Sequence, residues 1–290
     1  MTFARSFATT ALLAVAPLLL LSPAACGVVQ YSTITATAER TQSVADAKSL
    51  AVETRNGSIK VERDDSATEL NVTASIRCGG STQAEADQRV SDAKLVVDRS
   101  SDGLVKISVE FPAPAESGKK FGNDGASFVV RAPGTLAGLT LKSSNGAISS
   151  DGFTGSLQAH TSNGALTVEN HAGPVDAQTS NGRIDVAGVT GPVDAQTSNG
   201  RVEVTLAEGS SEKVSVQSSN GRVELTLPAS WNGTLSAKTS NGKVTVEPKE
   251  SRATNVNVSK GEGSATIGSG TATANLRTSN GSVKVIIKGN

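Results

Sequence analysis

The chain has 290 residues with 27 basic and 27 acidic side chains, so its formal net charge is zero. This balance excludes the strong field typical of nucleic-acid-binding proteins, and we expect no nucleic-acid partner. Aromatic residues make up only 3% of the chain, whereas glycine is abundant at 29 residues. Small and β-branched side chains must therefore fill the core, which suits the narrow interior of a repeat protein.

The first 25 residues have the pattern of an export signal. Arg5 precedes an apolar run, residues 8–21, that is too short for a comfortable membrane span. Small residues directly before Cys26 resemble the lipobox of bacterial lipoproteins, which implies cleavage after residue 25, lipidation of Cys26 and attachment to a membrane at the cell surface or in the periplasm. Pro23 departs from that pattern, which prefers an aliphatic residue there. Ordinary secretion and an uncleaved anchor stay open as alternatives.

The chain has two cysteines, Cys26 and Cys78, and two histidines. If Cys26 carries lipid, Cys78 is a lone thiol, and we expect it to be buried as a small apolar side chain. If Cys26 is not lipidated, an oxidising compartment permits a disulfide between the two. Because His160 and His171 are scattered, no metal site and no cofactor are predicted.

Residues 26–48 are rich in Thr, Ala and Ser, and their weak pattern predicts a flexible tether, although a strand could begin near Tyr31. From Ser49 the alternation sharpens, and Leu50 and Val52 begin a pattern that already resembles the later repeats. Residues 49–127 are therefore assigned to an N-terminal β region of the same fold.

This N-terminal region contains one helix signal and one loop signal. Thr82 and Glu85 have the spacing of a capping box and open the only plausible helix, over residues 82–93. The stretch 112–123 is rich in Pro, Gly and Lys and predicts a mobile loop.

From residue 128 to residue 290 the sequence Ser-Asn-Gly recurs between alternating runs. Its first four copies are 18 residues apart and the next two steps are 21 residues. The corner asparagines are Asn145, Asn163, Asn181, Asn199, Asn220, Asn241 and Asn280. Asn and Gly both tolerate positive φ, so each pair predicts a corner between two half-buried strands.

Two architectures fit this repeat. An Asn-Gly pair between alternating runs is a strong hairpin signal, which would give an antiparallel meander. Equal spacing of like residues favours instead a parallel β-solenoid with coils of about 18–21 residues, in which the asparagine amides form one hydrogen-bonded column. We therefore predict about eight stacked coils. The 39-residue gap from Asn241 to Asn280 would hold a degenerate corner at residues 256–261.

The same residues carry a family resemblance. The Ser-Asn-Gly corners, each followed by alternating Ile or Val, and the entry segments 128–133 and 139–146 resemble the DUF4097 family of "putative adhesins". The resemblance covers residues 49–290. It implies a right-handed parallel β-helix on the bacterial surface, and it supplies no catalytic residues to carry over.

One set of charges recurs at a fixed repeat position, directly after Asn-Gly. It comprises Arg183, Arg201, Arg222 and Lys243. Acidic residues follow two places later, at Asp185, Glu203 and Glu224. The basic column could contact an anionic envelope polymer, or it could be a solvated face on which the adjacent acids offset the like charges.

Three classes of function remain open. The first is an interaction or adhesion module that binds an envelope polysaccharide or protein, and the second is a structural or sensory envelope protein without a ligand. The third is a β-helix enzyme that acts on polysaccharides, which requires clustered carboxylates. Acidic residues here are spread over repeat positions, and His160 aligns with Gln178 and Gln196, where an exposed side chain is expected. We therefore predict a non-catalytic protein with no catalytic residues.

Overall fold

The computed structural model describes residues 34–113, 122–248 and 253–289. Within these ranges the chain is all-β apart from one helix, and its strands form two long sheets around a shared core. The predicted signal at residues 1–25 and Cys26 lie outside the described residues, as does most of the predicted loop at 112–123. No helix in the described part has the length and apolarity needed to cross a bilayer.

The elements fall into three groups along the chain. Up to residue 132 the described elements are β1 Ile34–Val44, β2 Ser49–Thr54, β3 Ile59–Arg63, β4 Leu70–Gly80, α1 Gln83–Asp92, β5 Lys94–Arg99, β6 Leu104–Glu110 and β7 Gly125–Ala132. The regular array comprises β8 Gly138–Ser143, β9 Ile148–Asp151, β10 Ser156–Thr161, β11 Leu166–Glu169, β12 Val175–Thr179, β13 Ile184–Val189, β14 Val193–Thr197, β15 Val202–Leu206, β16 Val214–Ser218 and β17 Val223–Leu227. The C-terminal group comprises β18 Gly233–Thr239, β19 Val244–Pro248, β20 Ala253–Val258, β21 Glu262–Ile267, β22 Ala272–Thr278 and β23 Val283–Ile287.

The two strands that flank each Asn-Gly corner belong to different sheets, and we call such a pair a coil. The order of described strands in sheet A is β1-β4-β7-β3-β9-β11-β13-β15-β17-β23-β19. In sheet B it is β20-β21-β18-β22-β16-β14-β12-β10-β8-β2-β6-β5. Successive coils of the array pair in parallel, so the predicted parallel β-solenoid is confirmed and the antiparallel meander is excluded.

The register places each residue on its equivalent in the next coil. In sheet B, Val175 pairs with Val193 and Thr179 pairs with Thr197. In β12 and β14 the apolar positions point inward and are buried, whereas the alternating Asp and Gln positions face outward and are partly exposed. The period-2 pattern therefore fixes which side chains line the core and which line the two outer faces.

Stacking does not follow chain order at the C-terminal end. The coil β22–β23 lies between the coils β16–β17 and β18–β19, because β22 pairs with both β16 and β18. The segment predicted as a degenerate corner, residues 256–261, instead forms the end of β20 and the turn into β21 of an antiparallel hairpin. That prediction is wrong because β21 also pairs antiparallel with β18 and covers the edge at which a further parallel coil would stack.

The N-terminal end has the same inversion. β2 lies between β6 and β8, and β3 lies between β7 and β9. The later strands, β6 and β7, are thus the outer ones, and the chain returns from them to continue the array on the inner side at β8.

The tether predicted over residues 26–48 is wrong from Ile34 onward. Residues Ile34–Val44 form β1, which pairs antiparallel with β4 along its whole length. Only Ala36 and Val44 of this strand are buried, so its apolar alternation is weak although its backbone is fully paired on one side. The prediction of one helix near residues 82–93 is confirmed by α1, whose N-cap Thr82 accepts a hydrogen bond from the Glu85 amide.

Candidate functional site: a polar groove on sheet B

The corner between the sheets is held by one continuous chain of asparagine side chains. From Asn145 onward, each Nδ2 donates to the Oδ1 of the asparagine on a neighbouring coil at 2.8–2.9 Å, and Asn56 at the end of this chain of side chains only accepts from another asparagine. In spatial order the chain comprises Asn56, Asn145, Asn163, Asn181, Asn199, Asn220, Asn280 and Asn241. The order follows the inverted C-terminal stacking, because Asn280 stands between Asn220 and Asn241.

A second ladder fixes the same corner from inside. Buried hydroxyls that end the sheet B strands donate to the corner glycine carbonyls of the adjacent coil, as Thr179 Oγ1 does to Gly164 O at 3.1 Å. Thr161, Thr197, Ser218, Thr278 and Thr239 make the same contact. Paired polar groups on both sides make the corner a rigid support for the outer face beside it.

The outer face of sheet B carries a groove of about 630 Å³ next to this corner. One wall is a row of in-register side chains, running from His160 through Gln178, Gln196 and Gln217 to Arg277. The other wall is a row of corner hydroxyls, which comprises Ser180, Ser198, Ser219 and Ser279. Among the residues that the structure describes, those that line the groove include no Asp or Glu.

Two aspartates lie next to the glutamine row and orient it. Gln178 Nε2 donates to Asp176 Oδ1 at 2.9 Å, and Gln196 Nε2 donates to Asp194 Oδ1 at 3.1 Å. His160 Nε2 lies 3.5 Å from Asp176 Oδ2, and its side chain is 35% exposed, so it is half-buried rather than exposed as predicted. An amide offers two donors and one acceptor, so each of these bonds leaves most of its hydrogen-bonding capacity for a ligand.

The basic column predicted as a polyanion contact lies on the outer face of sheet A and is interleaved with acids. Arg183 Nε lies 2.5 Å from Asp185, and Arg222 Nη2 lies 3.1 Å from Glu224. Arg201 pairs with Glu203 and lies 3.7 Å from Glu224 of the next coil. These pairs balance the positive charge locally.

The fourth member of that column, Lys243, does not follow Arg222. Because the coil β22–β23 is inserted, the coil that carries Ser282 lies between them. The prediction of four cations on successive coils is therefore wrong at Lys243. Three cations are adjacent, and the fourth is two coils away.

The remaining reactive side chains are isolated. His171 is buried, its Nε2 lies 2.7 Å from Gly155 O, and burial lowers its pKa. Cys78 is a buried free thiol whose pKa is raised by burial and by the charge of Asp124. In the described ranges no group of three His, Cys, Asp or Glu side chains could hold a metal ion.

Sequence reasoning missed the groove although its signal is present. Gln178, Gln196 and Gln217 recur at one repeat position, just as the arginines do. Polar residues alternate outward on both sheets, so periodicity alone does not favour one face. Arg277 could not be assigned to the same row, because its place beside Gln217 depends on the inverted order of coils.

Comparison with solved structures gives matches of low identity. A "putative cell adhesion protein" from Clostridium sporogenes matches 87% of this chain and 100% of its own, at 11% identity and a TM-score of 0.35. A "putative adhesin" from Bacteroides fragilis matches 86% and 97%, at 12% identity and a TM-score of 0.39. A "putative lipid binding protein" from Parabacteroides distasonis matches 86% and 96%, at 13% identity and a TM-score of 0.29.

No curated protein matches the chain. The family model described as Toastrack DUF4097 matches residues 93–286, which is more than half of the chain. That range contains every Ser-Asn-Gly corner of the array, the described lining of the groove and all but the last residue of the inserted coil. The protein belongs to the DUF4097 (Toastrack) family.

Proposed function

We propose that the protein is a non-catalytic interaction module of the bacterial envelope, which binds an extended polysaccharide along the groove of sheet B. The observation that carries this proposal is the in-register row of glutamine amides opposite a row of serine hydroxyls, in a groove whose described lining contains no carboxylate. Amides and hydroxyls both donate and accept hydrogen bonds, as sugar hydroxyls do.

The spacing of the rows suits a polymer better than a small molecule. Equivalent side chains recur at the strand spacing, about 4.8 Å, so a chain of sugar units lying along the groove meets the same pair of groups repeatedly. Each exposed hydrogen bond contributes little, but the contacts act together on a rigid surface that loses little conformational entropy on binding.

Two other candidates are weaker on this geometry. The arginines of sheet A are already paired with acids, so a polyanion would have to displace Asp185, Glu203 and Glu224. Cleavage of a glycosidic bond uses two carboxyl groups on either side of the bond, and no Asp or Glu is among the described residues that line the groove.

A carbohydrate array compared between two variants tests the binding face. The first variant combines Gln178→Ala, Gln196→Ala and Gln217→Ala. The control combines Thr167→Ala, Thr205→Ala and Thr226→Ala, which remove outward polar groups from sheet A. We expect the wild type and the control to bind the same polysaccharides, and we expect the glutamine variant to lose binding to those polysaccharides. Equal binding by all three proteins, or none by the wild type, would refute the proposal and favour an envelope protein without a ligand of its own.

We further propose export and attachment through a lipid on Cys26. The apolar run at residues 8–21, followed by small residues before Cys26, supports this. Globomycin or Cys26→Ser should block processing, and mass spectrometry of the mature protein should find a lipidated N-terminal Cys26. A mature N-terminus at another residue without lipid would contradict attachment and leave the binding face unaffected.

A further inference from the structure

We infer that the groove of sheet B is built for an acidic polysaccharide, in which an oxyanion of the polymer binds Arg277 while sugar hydroxyls bind the glutamine and serine rows. The inference rests on the proposed function and narrows its ligand to a polyhydroxylated chain that bears carboxylate, phosphate or sulfate groups.

Arg277 is the charged end of the glutamine row. It lies on β22 in register between Gln217 and Lys238, and its side chain is exposed. Within the described residues its guanidinium has no hydrogen bond and no ion pair, whereas Lys238 pairs with Glu262 at 3.0 Å. Arg277 therefore keeps all five donors for a ligand.

The arginines of the opposite sheet show the contrast. Arg183, Arg201 and Arg222 each contact a carboxylate of their own coil. The outward position two residues before Arg277 is Asn275, which cannot neutralise it. In the described part of the chain, Arg277 has no ion pair and the groove has no lining carboxylate. Such a guanidinium is complementary to an oxyanion, since its planar fork matches carboxylate and phosphate geometry.

The acids around the groove do not cancel this charge, since Glu262, two strands from Arg277 across β18, pairs with Lys238. Asp176 and Asp194 are held by Gln178 and Gln196 and do not line the groove. They lie on β12 and β14, and β16 separates β14 from the strand of Arg277. Repulsion of an anion by these aspartates is therefore weakest at the Arg277 end.

The same row reaches a second cation beyond His160, and Glu53 on β2 lies in register beyond that cation. Lys142 on β8 lies in register beside His160, is exposed and has no ion pair within the described residues. Five strand steps separate it from Arg277. At about 4.8 Å per step the two cations are roughly 24 Å apart, which fits an acidic polymer with several anionic groups better than a single small acid.

The test measures the affinity for an acidic polymer relative to a neutral one. Polygalacturonate supplies carboxylates, poly(glycerol phosphate) teichoic acid supplies phosphates, and dextran is the neutral probe. Arg277→Gln is compared with Arg201→Gln, which removes the same charge from sheet A, and with Arg277→Lys, which keeps the charge without the fork. We expect the wild type to prefer at least one acidic polymer. Arg277→Gln should lower that affinity about tenfold and leave dextran binding unchanged.

Arg201→Gln should leave the affinity for every polymer unchanged, and Arg277→Lys should retain part of the preference for the acidic polymer. Higher salt should weaken the binding of acidic polymers only. The acidic probe that responds identifies the oxyanion. Equal losses in Arg277→Gln and Arg201→Gln, or wild-type binding to dextran as strong as to both acidic polymers, would overturn the inference while the proposed function stands. Binding that survives alanine at all three glutamines, or no binding to any probe, would overturn the proposed function itself.

Discussion

Asn199 sits at the centre of the corner ladder, where its amide both donates and accepts. It donates to Asn181 Oδ1 at 2.8 Å and accepts from Asn220 Nδ2 at 2.8 Å. Asn199→Ala removes both bonds, so we expect the free energy of unfolding to fall by about 1–2 kcal/mol. Equilibrium denaturation with urea measures the change.

Two further substitutions make this prediction specific to the ladder. Asn241 is at one end of the ladder and makes a single ladder bond, to Asn280 at 2.9 Å. Asn241→Ala should therefore lower the free energy of unfolding by about half as much as Asn199→Ala. Asn199→Asp places an acceptor against the acceptor oxygen of Asn181 and should be at least as destabilising as alanine at pH 7. If Asn199→Asp were neutral, the ladder would not explain the recurrence of asparagine.

His171 gives the fold a dependence on pH. Burial lowers its pKa below the ordinary 6.5, and the unfolded chain regains the ordinary value. Acid therefore protonates the unfolded state first, so the contribution of His171 to stability is complete above about pH 6.5. It is lost as the pH falls from there towards the lower folded-state pKa.

We therefore expect the midpoint temperature of thermal denaturation to fall more steeply below pH 6.5 for the wild type than for His171→Gln. The glutamine keeps a donor for Gly155 O but does not titrate. The difference between the two pH profiles isolates His171 from His160 and from the carboxyl groups. Parallel profiles would show that His171 is not held neutral in the folded protein.

At the scale of elements, α1 is tied to the start of β7 by a buried ion pair. Arg89 is 4% exposed, and its two terminal nitrogens lie 2.7 and 2.9 Å from the oxygens of Asp124. Arg89 also donates to Pro112 O at 2.9 Å, and Asp124 raises its pKa. Arg89→Met leaves the Asp124 carboxylate without its charged partner, so we expect the free energy of unfolding to fall by about 3 kcal/mol, as measured by urea denaturation.

The exposed pair Lys60–Glu62 provides the control, since Lys60→Met should cost no more than about 1 kcal/mol. Combining Arg89→Met with Asp124→Leu should recover part of the loss, because no charge is then left unpaired. A double variant less stable than the single one would contradict this account.

The inserted coil makes a second prediction at this scale. Ser215 and Asn275 are register partners, and Ser236 lies one coil further on. The Cα atoms of cysteines at 215 and 275 should be about 4.8 Å apart, so this pair should form a disulfide on oxidation. The Cα atoms of cysteines at 215 and 236 should be roughly twice as far apart, so that pair should form no disulfide. Mass spectrometry of peptides detects the bond. A bond only in the 215 and 236 variant would show that the coils stack in chain order.

The limits of sequence reasoning are clear at these elements. The Asn-Gly corners at 18-residue spacing and the alternation around Val175 and Val193 are local, so the solenoid and its register could be predicted. The alternating apolar runs before Asn241 and Asn280 have equivalent patterns. From the sequence, either of the two coils that contain them could therefore stack on β16. Their order depends on the antiparallel pairing of β21 with β18, which is a long-range contact without a local signal.

At the scale of the whole molecule, the two outer faces differ in chemistry. Sheet A presents alternating arginines and acids that satisfy one another. The groove of sheet B presents amides, hydroxyls and a guanidinium that has no ion pair within the described residues. From the sequence, the hypothesis for a binding face was placed on the arginines, because a column of like charges is evident in the repeat. Their pairing with Asp185, Glu203 and Glu224 becomes evident only when side chains on adjacent coils are placed together.

The central claim is that the glutamine row of sheet B is the face that contacts a polysaccharide. Two-dimensional NMR tests it most directly, with nitrogen-15 in glutamine side chains and in arginine Nε, during titration with the polymer selected on the array. We expect the signals of Gln178, Gln196, Gln217 and Arg277 to shift together with one affinity. The Nε signals of Arg183, Arg201 and Arg222 should stay in place. Shifts confined to those three arginines, with the glutamine signals unchanged, would contradict the account and assign binding to sheet A.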